Sequence, residues 1–249
     1  MQQVISMNSS PSNLHQQTLV VIGAGSGIGA AVARQAAARG ARVVLAGRRL
    51  EALQQQQAQL PDSARSLAVD ITDADSLQAL FRAVGPFDHL VISAGPAIDA
   101  KPLAQTGLLE AQQAFEVKFW GAWRAVQAAL PYLAAQGSIT LTSGLLSRKR
   151  VPGQVLKTTL NAALEALGKH LAKELAPRRV NVISPGVTDT EAYAGLPEEQ
   201  RAAMFARTAA SLPVGRVGHA DEVAAAFLLA MENGFISGSL IDVDGGGLL

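Results

Sequence analysis

The sequence predicts an α/β fold in which about seven parallel strands form one doubly wound sheet with helices on both faces. Short β-branched runs alternate with longer helical stretches from residue 18 onward. Apolar residues make up 49% of the chain but aromatic residues only 4%, which is typical of Ala- and Leu-rich helices packed on a sheet. No segment between 18 and 249 has the composition of a linker, so we expect a single domain.

The predicted elements follow one another as alternating strands and helices. Strands are expected over 19–22, 42–46, 66–69, 89–92, 138–142, 180–183 and 240–243, because these short runs are apolar and rich in β-branched residues. Helices are expected over 27–38, 50–59, 74–84, 108–133, 155–175, 198–208 and 221–231. Right-handed crossovers then make successive strands parallel. Residues 1–17 are polar and are interpreted as a flexible tail before the domain at 18–249.

The composition excludes several kinds of site and partner. The chain has no cysteine, which excludes disulfides, thiolate catalysis and Cys-ligated zinc. Its four histidines share no metal-ligand spacing, so no metal site is predicted. The formal net charge of +1 provides no general attraction for nucleic acid or an anionic membrane. Neither a spanning apolar run nor a signal-peptide core is seen, and we expect a cytoplasmic protein.

A glycine-rich turn directly follows the first predicted strand. It reads Gly-Ala-Gly-Ser-Gly-Ile-Gly over residues 23–29 and leads into an Ala-rich helix. Glycines at 23, 27 and 29 let the turn stay tight and let the backbone approach a pyrophosphate, whose charge faces the helix N-terminus. A glycine-rich turn without a ligand is the alternative. The strand before it and the helix after it favour a dinucleotide site of the Rossmann type.

The end of the second predicted strand indicates which dinucleotide binds. An NAD-binding protein carries an acidic residue here for the ribose 2′-hydroxyl, whereas this chain reads Ala-Gly-Arg-Arg over residues 46–49. Gly47 leaves space and Arg48 offers a planar fork suited to a phosphate, which predicts NADP(H). The alternative is that both arginines begin a solvated helix. Asp70, after the third strand, is either an acceptor for the adenine amino group or an N-cap.

These features, in this order over 18–249, resemble the short-chain dehydrogenase/reductase family. Residues 87–95 are similar to its fourth-strand signature, except that Ile92 and Ser93 replace two asparagines. Three later segments are also similar to those of the family: 180–190, 215–218 and 241–246. The resemblance implies that Val187 and Thr190 contact the nicotinamide carboxamide. It also implies a homodimer or homotetramer built from helices 108–133 and 155–175 together with the last strand. The predicted cofactor-binding residues are Gly23, Ser26, Gly27, Ile28, Gly29, Arg48, Arg49, Asp70, Ile71, Ser93, Ala94, Gly95, Pro185, Gly186, Val187 and Thr190.

The catalytic positions depart from the family pattern. The family uses a Tyr as general acid, a Lys four residues later that lowers its pKa, a Ser that positions the carbonyl group and an upstream Asn. Aligning Asn-Ala-Ala-Leu at 161–164 with the usual Lys-Ala-Ala-Leu places Lys157 at the Tyr position. The Ser position falls on Gly144, beside a serine, and the Asn position falls on a lysine. The candidate catalytic residues are therefore Lys157, Asn161, Lys118 and Ser143.

Three hypotheses about function follow. In the first, Lys157 donates the proton that Tyr normally gives, with its pKa lowered by burial and by Lys118. In the second, the protein is an inactive NADP(H)-binding sensor or scaffold, and the basic run 148–150 favours an anionic ligand. In the third, hydride goes to an activated alkene or quinone that Lys157 or the basic loop polarises. The proton then comes from water or from another side chain, for which Tyr193 is the candidate. We expect an atypical NADP(H)-dependent oxidoreductase for a small organic substrate, with the inactive protein as the alternative.

Overall fold

Seven parallel strands form the central sheet of the computed structural model, which describes residues 14–249. The strands in chain order are β1 (Thr18–Ile22), β2 (Arg42–Gly47), β3 (Arg65–Ala68), β4 (Phe87–Ile92), β5 (Leu133–Thr142), β6 (Arg179–Pro185), β7 (Thr188–Asp189), β8 (Gly218–His219) and β9 (Leu240–Val243). Strands β7 and β8 pair separately, and the others lie in the order β3-β2-β1-β4-β5-β6-β9. The order reverses between β1 and β4, and ligands bind beside such a reversal, outside the carboxyl ends of the strands.

Helices cover both faces of the sheet, as predicted. Those in the described chain are α1 (Gly27–Ala38), α2 (Leu50–Gln57), α3 (Ala74–Val84), α4 (Leu108–Phe115), α5 (Gly121–Ala129), α6 (Val155–Glu174), α7 (Glu198–Ser211) and α8 (Ala220–Glu232). Helices α1, α2 and α8 pack on one face, and α3, α5 and α6 pack on the other. No helix within residues 14–249 is long and apolar enough to cross a membrane.

The apolar core consists of two clusters, one on each face of the sheet. Along β1, Leu19 and Val21 belong to one cluster, whereas Val20 and Ile22 belong to the other. All four residues are buried. Successive side chains of a strand point to opposite faces, so a strand with helices on both faces reads as a continuous apolar run. This explains why the apolar runs predicted the strands correctly.

The prediction of one helix over 108–133 is wrong. Helix α4 ends at Phe115, a π-helical turn spans Glu116–Trp120, and α5 ends at Ala129. Pro131, which has no N–H to donate, lies just beyond α5, and β5 already begins at Leu133. Short π-helical turns often occur at functional sites, and this one carries the candidate catalytic residue Lys118.

Residues 14–17 pack against the domain, so this part of the predicted tail is also corrected. Leu14 is buried in the same cluster as α1 and α8. Oε1 of Gln17 lies 2.8 Å from Nε2 of the buried His89 on β4. Because these contacts fix the chain before β1, the folded part of the molecule begins by Leu14. The remainder of the predicted tail, 1–13, lies outside the described residues.

Candidate active site

The carboxyl ends of four neighbouring strands bring the predicted site residues together at one edge of the sheet. Gly23 follows β1, Ser93 follows β4, Ser143 follows β5 and Gly186 follows β6. These strands are adjacent and parallel in the order β1-β4-β5-β6, so segments far apart in the chain share one crevice. The crevice lies at the position where an open α/β sheet binds its ligand.

The turn after β1 requires glycine at the predicted positions. Gly23 has φ of +99°, and a Cβ there would lie 2.6 Å from the backbone nitrogen of Ala94. A Cβ at Gly29 would overlap the carbonyl oxygen of Gly23. Ser93 supports the turn from β4, since its hydroxyl donates to the same carbonyl oxygen at 3.3 Å. The close approach of the β1 turn to the β4 end therefore explains the glycine pattern.

The first turn of α1 has the geometry of an anion site. Ser26 is the N-cap in extended conformation, and its side chain makes no capping hydrogen bond. The Gly27 N–H points away from the helix and donates to Oε2 of Glu191 at 2.8 Å. The amides of a helix N-terminus attract negative charge, and here one of them already binds a carboxylate. The turn and the helix therefore fit the pyrophosphate of a dinucleotide.

The residues predicted for the adenosine end lie on one rim. Arg48 follows β2 and is exposed, and its charge helps to lower the pKa of Asp70. The larger cause of that lowering is Thr72, whose backbone N–H and hydroxyl donate to Asp70 Oδ1 at 2.9 and 2.7 Å. Asp73 caps helix α3, so Asp70 instead stabilises the preceding turn. Ile71 is buried and packs against Gly121.

The segment predicted for the nicotinamide end is held by backbone hydrogen bonds. The Gly186 N–H donates to Val243 at 2.9 Å, and the carbonyl of Val187 accepts from Gly218 at 3.0 Å. Thr190 then caps a short 3₁₀ turn over Glu191–Tyr193. Val187 and Thr190 remain partly exposed beside the crevice, which leaves them accessible to a ligand.

Lys118 and Asn161, which occupy two of the family's catalytic positions, are in direct contact. Nζ of Lys118 donates to Oδ1 of Asn161 at 2.6 Å and to the carbonyl oxygen of Ser143 at 3.2 Å. Burial and the nearby charge of Lys157 lower the pKa of Lys118 to about 8, while Glu165 acts in the opposite direction. An ammonium group has three N–H donors, so one remains for a ligand.

Lys157 is the second cation of the crevice. Its side chain is partly buried, and its Nζ makes no hydrogen bond or ion pair with residues 14–249. Burial lowers the pKa of Lys157, and the carboxylate of Asp99 opposes this effect. Because the charge of Lys157 contributes to the lowered pKa of Lys118, the two ammonium groups lie in one electrostatic environment. A partly buried pair of like charges is an arrangement that makes lysine a stronger acid.

The Ser143 hydroxyl is engaged by another side chain, which changes the role proposed for it from the sequence. Its hydroxyl is buried and donates to Oε1 of Glu165 at 3.0 Å, and Ser147 donates to the same oxygen. At the family's Ser position, a Cβ on Gly144 would lie 2.9 Å from Nδ2 of Asn161. Glu165 was missed by the sequence analysis, although it follows Asn161 by one helical turn on α6 and so projects from the same side.

The basic run 148–150 binds the protein itself. Arg148 forms hydrogen bonds with Asp242 and Ser184, and Nζ of Lys149 donates to the carbonyl of Gly247 at 2.9 Å. The guanidinium of Arg150 donates to the carbonyl of Ser147 at 2.8 Å. All three cations therefore have acceptors within the fold. The expectation that this loop binds an anionic ligand therefore loses its basis.

Tyr193, the replacement acid considered from the sequence, packs against helix α7. Its ring meets that of Phe205 on α7 edge-to-face, with centroids 5.4 Å apart. Burial raises the pKa of its hydroxyl, which makes Tyr193 a weaker acid than free tyrosine. Neither its packing nor its pKa favours it as the proton donor.

Comparison with known proteins gives one family over almost the entire chain. The family described as enoyl-(acyl carrier protein) reductase matches residues 23–247. A short-chain dehydrogenase/reductase of Stachybotrys chlorohalonatus is 34% identical over 94% of this chain and 97% of its own. A cis-4-hydroxycyclohexanecarboxylate dehydrogenase of Sinomonas cyclohexanicum is 36% identical over 93% of this chain and 96% of its own.

This chain is also similar to a solved structure of a small-chain dehydrogenase in complex with NADPH. It is 42% identical, has a TM-score of 0.83 and covers 94% of this chain and 99% of its own. Sequence, strand order and glycine turn therefore agree with the resemblance noted from the motifs. The chain belongs to the short-chain dehydrogenase/reductase family of oxidoreductases.

Proposed function

We propose that the protein is an NADP(H)-dependent oxidoreductase in which a lysine pair replaces the usual tyrosine and lysine. The observation that carries this proposal is the cluster of Lys118, Asn161 and Lys157 in the crevice at the ends of β4 and β5. Its substrate is a small organic molecule with a carbonyl, an activated alkene or a quinone. Each of these develops negative charge on oxygen as it accepts hydride.

NADP(H) is the cofactor that the residues fit. The glycine turn and the first turn of α1 would hold the pyrophosphate, and the exposed Arg48 after β2 would contact the 2′-phosphate of the adenosine ribose. A relative solved with NADPH is 42% identical over nearly the full chain. When bound, the reduced cofactor supplies the hydride, so the chain's own residues need only orient the substrate and deliver the proton.

Lys157 is proposed as the proton donor. Its partly buried ammonium group has no acceptor among the described side chains and is available to a substrate oxygen. Lys118 is fixed by Asn161 and contributes a second positive charge that stabilises the developing oxyanion. Burial lowers the pKa of Lys157 against the opposing charge of Asp99, and burial together with the charge of Lys157 lowers the pKa of Lys118. The pair therefore delivers a proton more readily than a free lysine, which is a poor acid near neutral pH.

The test is Lys157→Met, with substrate-dependent NADPH consumption measured over ketones, enones and quinones. Loss of a general acid costs about 10²- to 10⁴-fold in turnover, whereas the affinity for NADPH measured by calorimetry is expected to stay within about twofold, which is only ~0.4 kcal/mol. Lys169→Met, on an exposed part of the same helix, is the matched control and is expected to retain activity. Unchanged turnover in Lys157→Met would exclude this role.

The second candidate is an NADP(H)-binding protein without turnover. A specific observation favours it: Ser143 is bound to Glu165, position 144 is glycine, and Tyr193 packs on α7. The hydroxyl of Ser143 is therefore engaged within the fold, and position 144 offers no hydroxyl. Calorimetric binding of NADPH without consumption over the full substrate panel would favour this candidate over the enzyme.

The protein is further proposed to form a homodimer or homotetramer through α4, α5 and α6. Large apolar side chains are exposed along this surface, with Leu108 74%, Trp120 45% and Trp123 41% exposed. The two indole rings pack edge-to-face with centroids 6.1 Å apart. Exposed apolar patches of this kind mark interaction surfaces. The single domain at 18–249 and the cytoplasmic location stay predictions.

A further inference from the structure

A carboxylate of this chain lies where the dinucleotide pyrophosphate binds. Glu191 begins the 3₁₀ turn after Thr190, and its Oε2 accepts the Gly27 N–H at 2.8 Å. Gly27 is the first residue of α1 and is separated from Glu191 by 164 positions in the chain. The first turn of α1 is the part of the fold that receives the cofactor's negative charge. The carboxylate and the pyrophosphate therefore compete for the same donors.

We propose that Glu191 is an internal competitor of NADP(H) and that cofactor binding displaces its carboxylate from α1. This inference rests on the proposed cofactor. Two anionic groups at one helix N-terminus repel each other, and a backbone N–H has a single hydrogen to donate. Binding must therefore break the contact between Glu191 and Gly27 before the pyrophosphate gains its full set of hydrogen bonds.

Displacement of Glu191 also moves the residue proposed to contact the nicotinamide. Thr190 precedes Glu191 directly, and its side chain lies over α1, where a Cβ on Gly27 would be 3.3 Å from Thr190 Cβ. Glu191 also lines a cavity of about 500 Å³ together with Arg201 of α7. Arg201 is thus a cationic group of the same cavity to which the displaced carboxylate can move. Release of Glu191 thus couples the pyrophosphate site to the segment around Thr190.

The test compares NADPH affinity in the full-length protein and in two variants of Glu191. Glu191→Gln removes the charge, while Glu191→Asp keeps the charge but is one methylene too short for the observed contact. Both are expected to bind NADPH about two- to fivefold more tightly, the range for relieving an unfavourable interaction at an exposed helix terminus. Glu198→Gln, at an exposed position that begins α7, is the matched control and is expected to bind like the wild type.

Adenosine 2′-monophosphate, which has no pyrophosphate, is the ligand control. Its affinity is expected to be equal in all four proteins, because it does not reach the first turn of α1. Equal NADPH affinity in the wild type and both Glu191 variants overturns the proposal. Tighter binding only in Glu191→Gln, or an equal gain for adenosine 2′-monophosphate, also overturns it, because either result points to general charge repulsion. Failure of every protein to bind NADPH instead overturns the proposed cofactor.

Discussion

Substitution of Lys118 by methionine is expected to change how stability depends on pH. In the folded protein, burial and the charge of Lys157 lower the pKa of Lys118 from 10.5 to about 8. In the unfolded chain the side chain returns to its ordinary pKa. The folded state therefore binds the proton of Lys118 less tightly than the unfolded state, and folding is opposed as long as both states carry that proton.

The magnitude follows from the two pKa values. At about 1.36 kcal/mol per pKa unit, the difference between 10.5 and about 8 disfavours folding by about 3 kcal/mol at low pH. As the pH rises through 8, the folded protein releases the proton while the unfolded chain retains it, so the free energy of unfolding increases. The gain is complete above pH 10.5, and about 2 kcal/mol of it falls between pH 7 and pH 9.5.

Urea denaturation at pH 7 and pH 9.5 measures this effect. The wild type is expected to gain about 2 kcal/mol more than Lys118→Met between these values. The hydrogen bonds that the variant loses to Asn161 and Ser143 alter stability at both pH values, so only the pH-dependent difference is compared. Lys169→Met, on an exposed part of α6, is expected to retain the wild-type dependence. If the free energy of unfolding of Lys118→Met rises as much as that of the wild type, Lys118 is not the source of the pH dependence.

Two further predictions concern the cofactor and the assembly. Arg48→Gln is expected to weaken NADPH binding about ten- to hundredfold, the range for losing hydrogen bonds to a charged group. NADH affinity should not change, and an equal loss for both nucleotides in calorimetry would contradict a 2′-phosphate contact. Trp120→Ser is expected to shift the protein toward monomer in sedimentation velocity. Phe235→Ser, at a fully exposed aromatic residue outside α4–α6, should retain the wild-type assembly, and a monomeric wild type would contradict the proposed interface.

The sheet and the glycine turn were predictable because the sequence patterns that indicate them are local. Residues 19–22 are apolar on both faces, and that pattern alone indicates a strand with helices on both sides. Gly23 and Gly29 lie where a side chain would collide with Ala94 or with the turn's own backbone. Seven residues of sequence in the right context therefore identified the turn, although the partners that impose its geometry come from β4.

The interruption between α4 and α5 was not predictable from local sequence. The segment 108–133 was predicted to be one helix, but it changes to a π-helical turn over Glu116–Trp120. Gly121 follows this turn and packs against Ile71, where a Cβ would lie 3.0 Å from the isoleucine side chain. The reason for the close packing lies 50 positions away in the chain, after β3. Only the folded structure brings those two segments together.

For the catalytic side, sequence spacing located backbone positions but not the directions of side chains. It placed Ser143 beside the crevice, yet the hydroxyl turns toward Glu165, and it gave no indication that Glu191 reaches Gly27. Side-chain direction depends on which acceptors and donors the tertiary structure places nearby. Such contacts join residues 22 and 164 positions apart, so no local pattern encodes them.

Relative to the family, this chain has Lys118 at the position of the Asn and Asn161 at the position of the Lys. The two changes have a chemical consequence when they are considered together. The ammonium of Lys118 and the amide of Asn161 still meet at 2.6 Å, so the crevice keeps one cation beside one amide. Lys157 then adds a second cation where the family has a neutral phenol. Two neighbouring cations are destabilised until negative charge develops between them. The site therefore favours a reaction that creates an oxyanion, and hydride transfer to a carbonyl or to a conjugated alkene or quinone does so.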